Sequence, residues 1–288
     1  MKTLTLATIT FLAASVPAAM PTVNFRDHLG IQMWSLRVQA KESTTGSLDL
    51  TKIYGFKEVE TAGTGSLTVE QYAKELEARG LKAVAAHYGY DRLTKDIAGV
   101  LAEAKQLGVS FVICPYPKTD KQKKVTEEII HEMATDFNQW GAVCKAAGLR
   151  FGFHPHGLEF VPSAAGNGEV LFDILARETK PDLVCYEMDV FWVFHAGQDP
   201  VKLLNKYSDR WALMHVKDIR KGAVTGLSSG SAPPTDNVAV GTGQIDWPAL
   251  LGAAQKIGVM KHYFIEDETP TPLQCIPDSL KYLGALKL

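Results

Sequence analysis

The feature that most constrains the fold of this chain is a repeated alternation of short apolar runs with longer amphipathic stretches. Eight runs have the length and apolar character of buried strands, and each is followed by a segment with helical spacing of its apolar residues. The predicted strands are Leu29 to Trp34, Phe56 to Thr61, Leu81 to Ala86, Phe111 to Cys114, Leu149 to His154, Leu183 to Asp189, Trp211 to His215 and Tyr263 to Glu266. The predicted helices are Leu48 to Tyr54, Val69 to Arg79, Leu93 to Leu107, Gln122 to Ala147, Gly168 to Glu178, Pro200 to Lys206, Trp247 to Ile257 and Leu273 to Leu283.

Eight βα units without a second compositional zone predict one α/β domain, a (β/α)8 TIM barrel, over residues 20–288. An open doubly wound sheet is the alternative, and the count of eight favours the barrel. The length of 288 residues, with 46% hydrophobic and 22% charged residues, suits one large globular domain. A formal net charge of -2 argues against a nucleic-acid partner. The sequence leaves oligomeric state open.

The N-terminus is typical of a signal peptide over residues 1–19. Lys2 is followed by an apolar run from Leu4 to Ala14 and then by the small residues Ala18 and Ala19. The run is too short for a confident membrane span, so we expect a secreted or periplasmic protein without membrane association after cleavage. Mass spectrometry of the secreted protein should find an N-terminus near Met20, and an intact Met1 would contradict this prediction.

Four cysteines, Cys114, Cys144, Cys185 and Cys275, are widely spaced and form no CxxC pair. This spacing excludes a zinc knot. One disulfide in an oxidising compartment stays open as an alternative.

One connection is unusually long. It runs from Lys217 to Gln244 and is rich in Gly, Ser and Pro between Gly226 and Pro234. Loops of this length in a compact domain usually cover a binding site. We therefore predict that the segment Thr225 to Asn237 is a lid, mobile without substrate, that orders over the metal when substrate is bound.

Ionisable residues end several of the predicted strands, where the active site of a (β/α)8 barrel lies. Charged groups at the ends of buried strands are costly unless they are paired or bound to metal. Our predicted ligand set for one divalent ion is Glu159, Asp189, His215 and Glu266. Carboxylate and imidazole ligands suit Mn²⁺, our first choice, and also Zn²⁺, Co²⁺ or Mg²⁺. Each residue alone has a structural alternative, such as a helix cap for Asp189, so the prediction rests on their coincidence.

Two histidines flank Pro155 at the end of the fifth predicted strand. His154 and His156 are two residues apart, so both side chains point to the same side. Either could replace Glu159 as the first metal ligand, or bind substrate, or carry a proton. We predict catalytic roles for His154, His156, Glu159 and Glu266.

Substrate contacts are predicted for residues near the same strand ends. Gln32, His87, Lys217 and Arg220 are candidates for hydrogen bonds to sugar hydroxyl groups. Trp34 and Trp192 are candidates for stacking on a sugar ring, with core packing as the alternative for both.

Several segments together resemble the xylose isomerase-like sugar phosphate isomerase/epimerase superfamily, which also includes endonuclease IV. The resemblance covers nearly everything after the leader. It is carried by Gly30 to Arg37, Gly55 to Glu60, Gly148 to His156, Asp189 to Pro200, His215 to Asp218, Val240 to Trp247 and Tyr263 to Glu268. The ketose epimerases of the superfamily hold a metal with Glu, Asp, His and Glu, and Asp189, His215 and Glu266 match the last three. The first position falls nearest His154, with Glu159 a few residues on.

The resemblance implies a metal-dependent isomerase or epimerase acting on a sugar or keto-sugar through an enediolate. Because sugar phosphates are mainly intracellular, the predicted export favours an unphosphorylated substrate. The alternatives are a lyase or hydrolase that cleaves keto-glycosides by β-elimination, a non-catalytic sugar-binding barrel, and a phosphodiesterase. The last would need more metal ligands and a basic DNA-binding face.

Overall fold

Eight parallel strands close into a barrel in the computed structural model, which describes residues 24–288. The closed barrel confirms the predicted (β/α)8 fold and excludes the open sheet. The predicted signal peptide, residues 1–19, lies outside the described residues. Between residues 24 and 288, no helix combines the length and the apolar character needed to cross a membrane.

Barrel strands and outer helices alternate along the chain. The strands of the described region are β1 Leu29–Gln32, β2 Glu58–Thr61, β3 Lys82–His87, β4 Phe111–Cys114, β5 Arg150–Phe153, β6 Val184–Asp189, β7 Trp211–Val216, β8 Asp218–Ile219, β9 Asn237–Val238 and β10 His262–Ile265. The helices are α1 Arg37–Glu42, α2 Thr44–Ile53, α3 Val69–Ala78, α4 Tyr90–Leu107, α5 Glu127–Ala146, α6 Leu171–Glu178, α7 Val190–His195, α8 Pro200–Lys206, α9 Trp247–Ile257 and α10 Pro272–Ala285. The barrel closes in the order β1-β10-β7-β6-β5-β4-β3-β2.

All eight predicted strands and all eight predicted helices are present, with ends that differ by a few residues. The additional elements are short. In the described residues they are the six-residue helices α1 and α7, the antiparallel pair β8–β9 and four 3-10 turns of three or four residues. Six residues give fewer than two helical turns, too few for a helical period to stand out in the sequence.

The inside of the barrel is divided into an apolar layer and a polar layer. Side chains alternate between the two faces of a strand, so every second residue points inward. One buried apolar cluster fills the interior toward the N-terminal ends of the strands: Val84, Ala85, Phe111, Ile113, Cys185, Ala212, Leu213 and Phe264. The next inward positions, toward the C-terminal ends, are polar. This arrangement places ionisable side chains above a water-excluding apolar floor.

The larger apolar core lies between the barrel and the helices. Several helices begin at polar caps that accept backbone N–H groups. Thr68 and Gln71 form a capping box at α3, and Asp199 caps α8 ahead of Pro200. The four cysteines are free thiols, and three of them are buried in these cores.

Candidate functional site

Three imidazoles and two carboxylates form a buried polar layer above the apolar floor. They come from neighbouring parts of the barrel: Glu60 on β2, His87 on β3, His154 after β5, Glu187 on β6 and His215 on β7. His87 Nε2 lies 3.2 Å from Glu60 Oε1 and 3.3 Å from Glu187 Oε2. Burial alone would lower the pKa of His87, but the two carboxylates outweigh it and raise that pKa to about 9.

A second group of ligand-type side chains lies closer to the mouth of the barrel and shares His215 with the polar layer. Asp189 ends β6, His215 lies on β7, and Glu266 directly follows β10. His215 Nδ1 is 3.6 Å from Asp189 Oδ2 and 3.4 Å from Glu266 Oε2. One donor atom from each of the three residues lies within 4.8 Å of the others. The structure therefore brings together the three predicted ligands that match the superfamily pattern.

The fourth predicted ligand, Glu159, lies elsewhere. It belongs to a 3-10 turn, Leu158–Phe160, after β5, and its carboxylate accepts the backbone N–H of His156 at 3.1 Å. His154 lies closer to the other ligands, with Nε2 3.8 Å from Asp189 Oδ2. Of the two candidates for the first ligand, the structure brings His154 to the cluster. Burial raises the pKa of Glu159 to about 7.

The orientation of His215 is fixed from below by Glu60. His215 Nε2 and Glu60 Oε2 are 2.6 Å apart and both side chains are fully buried. A proton on Nε2 donated to this carboxylate leaves the lone pair of Nδ1 facing Asp189 and Glu266. Carboxylates that hold a histidine in this way select its tautomer and strengthen it as a metal ligand.

Lys217 is buried among three carboxylates. Its ammonium donates to Glu266 at 2.9 Å and to Glu268, and it lies 3.7 Å from Asp189 Oδ2. Burial alone would lower the pKa of Lys217, but these neighbours raise it and keep the side chain charged. Burial would likewise raise the pKa of Glu266, but Lys217 and His215 hold it well below its usual value.

The donor set fits a divalent cation. Asp189 Oδ2 and His215 Nδ1 are buried without a hydrogen-bond partner, a costly arrangement for polar atoms. The carboxylates around Lys217 and the imidazoles are Glu60, Glu187, Asp189, Glu266 and Glu268. They outnumber the side chains of Lys217, His87 and His215, which stay cationic despite burial, so a bound cation would relieve the remaining repulsion. Asp189, His215 and Glu266 would hold it, with His154 beside them.

A cavity of ≈ 560 Å³ opens above these ligands. Its lining includes Trp34, His87 and Tyr116 as well as His154, His156, Glu266 and Glu268. Trp34 is 47% exposed at the mouth and donates its indole N–H to Glu268 at 2.9 Å. The volume suits one small ligand.

Three other residues predicted to contact substrate do not line this cavity: Gln32, Trp192 and Arg220. Gln32 donates to Glu60 at 2.9 Å inside the polar layer. Trp192 is buried and stacks on His156, with ring centroids 4.2 Å apart, so its contact is with a catalytic candidate. Arg220 pairs with Asp236 at 2.6 Å in the long connection and does not line the cavity.

Most of the chain matches a known protein family. The model of the xylose isomerase-like TIM barrel family matches residues 48–286. The chain belongs to this family. Inosose dehydratase from Lacticaseibacillus casei is 24% identical over 181 residues, covering 58% of this chain and 57% of that enzyme. The matches span between 32% and 62% of the lengths of the curated relatives.

Solved structures of similar fold include a sugar phosphate isomerase/epimerase from Parabacteroides distasonis ATCC 8503. It has a TM-score of 0.70 and 21% identity, and the match covers 94% of this chain and 97% of that one. The IolI protein, solved with a zinc atom, has a TM-score of 0.69 and 17% identity, with 89% and 96% of the two chains covered. These likenesses confirm the fold of a xylose isomerase-like barrel.

Two carboxylates that contact His215, Glu60 and Glu187, were not among the predicted site residues. Both lie inside strands, beside outward-pointing neighbours. Glu60 ends the segment Gly55 to Glu60 that carries part of the resemblance, but no role was predicted for it. The available signal was the period of two: Glu187 precedes Asp189 by two residues, so both side chains face the interior. Glu60 precedes no predicted ligand, and only barrel closure brings it against His215.

We expect Glu60→Gln to weaken divalent-metal binding in this xylose isomerase-like barrel by about 10- to 100-fold. Glutamine keeps the shape of the side chain but removes the charge that favours the required tautomer of His215. The measurement is competition with a chromophoric chelator for Mn²⁺. The matched control is Glu77→Gln, an exposed glutamate on the outer helix α3 that belongs to neither cluster of ligand-type side chains. Equal Mn²⁺ affinity in the Glu60→Gln variant and the control would show that Glu60 does not orient the ligand.

Proposed function

We propose that this protein is a divalent-metal-dependent enzyme that removes a carbon-bound proton next to the carbonyl of an unphosphorylated sugar or keto-sugar, leading to isomerisation or epimerisation. The observation that carries the proposal is the pair of buried, unpartnered atoms Asp189 Oδ2 and His215 Nδ1, which face Glu266 beneath the cavity. Mn²⁺ is our first choice of ion, and the zinc of the IolI structure supports a divalent metal.

A divalent ion held there would act as a Lewis acid that polarises the substrate carbonyl and acidifies the adjacent C–H bond. Glu266 is the proposed proton acceptor. It lines the cavity, and the low pKa that Lys217 and His215 impose keeps it ionised. The Lys217 ammonium, 2.9 Å from Glu266 Oε2, holds the carboxylate in place and supplies a hydrogen-bond donor near the developing negative charge.

Epimerisation, which returns the proton to the opposite face of the same carbon, requires a second group on another side of the substrate. His156 lines the cavity and follows β5, which is three strands from β10 around the barrel. It therefore approaches the cavity from a different side than Glu266. Stacking on Trp192 fixes its ring plane. We assign the second proton-transfer role to His156, with His154 beside it as a ligand or relay.

The charge of the cavity supports an unphosphorylated substrate. Glu266 and Glu268 line the mouth, and among the lining residues the only charged side chains are acidic apart from histidines. A phosphate dianion would meet repulsion there unless the metal offset it. The exposed faces of Trp34 and Tyr116 instead offer apolar surfaces for a sugar ring.

Elimination is the second candidate, and the matches to inosose dehydratases favour it. Proton removal next to a carbonyl is the first step of both reactions. Loss of a β-hydroxyl or β-linked group in place of proton return would make the protein a lyase of keto-sugars or keto-glycosides. His156, the second proton-transfer group, would then donate its ring proton to the departing oxygen.

The experiment is a proton NMR screen of unphosphorylated ketoses and 3-keto-glycosides in D₂O with Mn²⁺-loaded protein. Isomerisation or epimerisation gives a new saturated sugar that carries deuterium. Elimination gives an unsaturated product and a released group. Binding without deuterium uptake across the panel would contradict the proposal and favour a sugar-binding barrel.

Export is a separate proposal that rests on residues 1–19 alone. A secreted or periplasmic enzyme meets few sugar phosphates, so this location agrees with an unphosphorylated substrate. The N-terminal mass measurement described above tests it independently of activity.

The lid predicted for Thr225 to Asn237 stays a prediction. The segment lies against the rest of the protein at two points. At one end, Gly226 N and Leu227 N donate to the carbonyl of His195. Further along, Gly230 passes so close to Tyr116 that an added Cβ would lie 3.0 Å from the tyrosine oxygen. We expect limited proteolysis to cut within 226–234 and a bound substrate analogue to slow that cleavage. Equal cleavage rates with and without the analogue would count against the lid.

A further inference from the structure

A second cluster of ligand-type side chains lies at the opposite end of the barrel from the cavity. His28 immediately precedes β1, Glu58 begins β2 and His262 begins β10. Because β1 pairs with both β10 and β2, these three side chains converge at the N-terminal strand ends. The apolar floor that contains Phe111 and Phe264 separates them from the polar layer above.

The donor atoms are closely spaced. His28 Nδ1 lies 3.1 Å from Glu58 Oε1, and His262 Nδ1 lies 2.7 Å from Glu58 Oε2. One donor atom of each residue lies within 4.8 Å of the other two. Ligand atoms bound at 2.0–2.2 Å around a tetrahedral ion are about 3.3 Å from one another. Small side-chain movements therefore suffice to bring all three onto one ion.

The two imidazoles are held in place before any ion binds. The ring of His262 packs edge-on against Phe111 at 5.8 Å and lies parallel to Phe264. The ring of His28 packs edge-on against His262 at 5.3 Å. Ligands that are already ordered lose little conformational entropy on binding, which favours affinity.

The cluster is also open to solvent on one side. The side chains of His28, Glu58 and His262 are 39%, 12% and 15% exposed. An ion has an entry path, and water can complete its coordination. Nitrogen and carboxylate donors without thiolate suit Zn²⁺, Ni²⁺, Co²⁺ or Cu²⁺.

We propose that His28, Glu58 and His262 form a second divalent-metal site, suited to Zn²⁺ or Ni²⁺, which ties together the first, second and last strands of the barrel. This site is independent of the proposed catalysis. Its ion links elements at the beginning and the end of the chain, so it stabilises the closed barrel because it binds only the folded form.

The test counts Zn²⁺ ions bound by chelator-stripped protein in competition with a chromophoric chelator. Wild type should bind two, and His28→Gln and His262→Gln should each bind one. The matched control is His131→Gln, which removes a histidine paired with a single carboxylate, Glu178, at 2.8 Å, and should still bind two. Asp189→Asn should lose the cavity ion and keep the ion at the opposite end.

The outcomes separate this site from the catalytic one. An ion that survives Asp189→Asn and is lost in His262→Gln supports the second site, even if the cavity binds none. Unchanged stoichiometry and affinity in both histidine variants would overturn it. Zn²⁺ should also raise the thermal midpoint of Asp189→Asn, and adding His28→Gln, at the more exposed position, should abolish that rise. A rise that persists in the double variant would equally contradict the proposal.

Discussion

Asp189→Asn is expected to lower both divalent-metal affinity at the cavity and turnover by at least about 100-fold, with little loss of stability. Asp189 Oδ2 is buried without a hydrogen-bond partner and lies 3.6 Å from His215 Nδ1. An amide in its place keeps the shape but contributes no negative charge to a cation. Burial alone would raise the pKa of Asp189, but the Lys217 charge lowers it and keeps the carboxylate ionised.

Stability should change little because the other oxygen of Asp189 has a separate task. Asp189 Oδ1 accepts the backbone N–H of Trp192 at 2.9 Å and caps α7. Asparagine is as good an N-cap as aspartate, so we expect the free energy of unfolding to change by no more than about 1 kcal/mol. Elemental analysis, turnover and urea unfolding check the three parts. The matched control is Asp246→Asn, an exposed N-cap of α9, which should retain metal and activity.

Asp218→Ala is expected to destabilise the fold by about 3–5 kcal/mol. Its buried carboxylate accepts five N–H groups, those of Ile219, Gly241, Gly243, Ile245 and the Trp247 indole, at 2.8–3.3 Å. Removing it leaves two buried donors, Ile219 N and Trp247 Nε1, and three partly buried backbone N–H groups without this acceptor. Gly243 belongs to the same arrangement, since a Cβ there would lie 2.2 Å from Asp218 Oδ1.

This network fixes the end of the long connection beside β7, which carries the proposed metal ligand His215. Loss of Asp218 should therefore lower the urea midpoint of unfolding. The control is Asp246→Ala, which removes one exposed cap of α9 and should cost about 1 kcal/mol. Equal destabilisation by the two substitutions would show that the carboxylate of Asp218 contributes no more than an ordinary helix cap.

The fold was predictable because a closed βα barrel repeats one local pattern eight times. The proximity of Asp189, His215 and Glu266 was predictable for a related reason: each follows an apolar run, where an ionisable residue stands out. Residues whose contacts form only when the barrel closes were not predictable from the sequence. Glu60 contacts His215 across 155 positions of sequence, and no local pattern records that contact.

Local sequence was also insufficient where two neighbouring residues competed for one role. Glu159 has the preferred chemistry for the first ligand position, but Gly157, with φ of 93°, and the 3-10 turn that follows direct its carboxylate to the backbone of His156. His154, still in line with β5, reaches the cluster. Lys217 and Arg220 were both predicted to contact substrate, but they lie in different surroundings. Lys217 directly follows β7 and points into the barrel among the carboxylates, whereas Arg220 pairs with Asp236 in the long connection.

The most direct test of the central claim is deuterium exchange at the carbon next to the carbonyl of the substrate that the NMR screen identifies. Wild-type protein stripped with chelator should show no exchange, and added Mn²⁺ should restore it. Asp189→Asn should show none under either condition. Exchange at the wild-type rate in stripped protein, or in Asp189→Asn, would contradict a metal-dependent proton transfer at Asp189, His215 and Glu266.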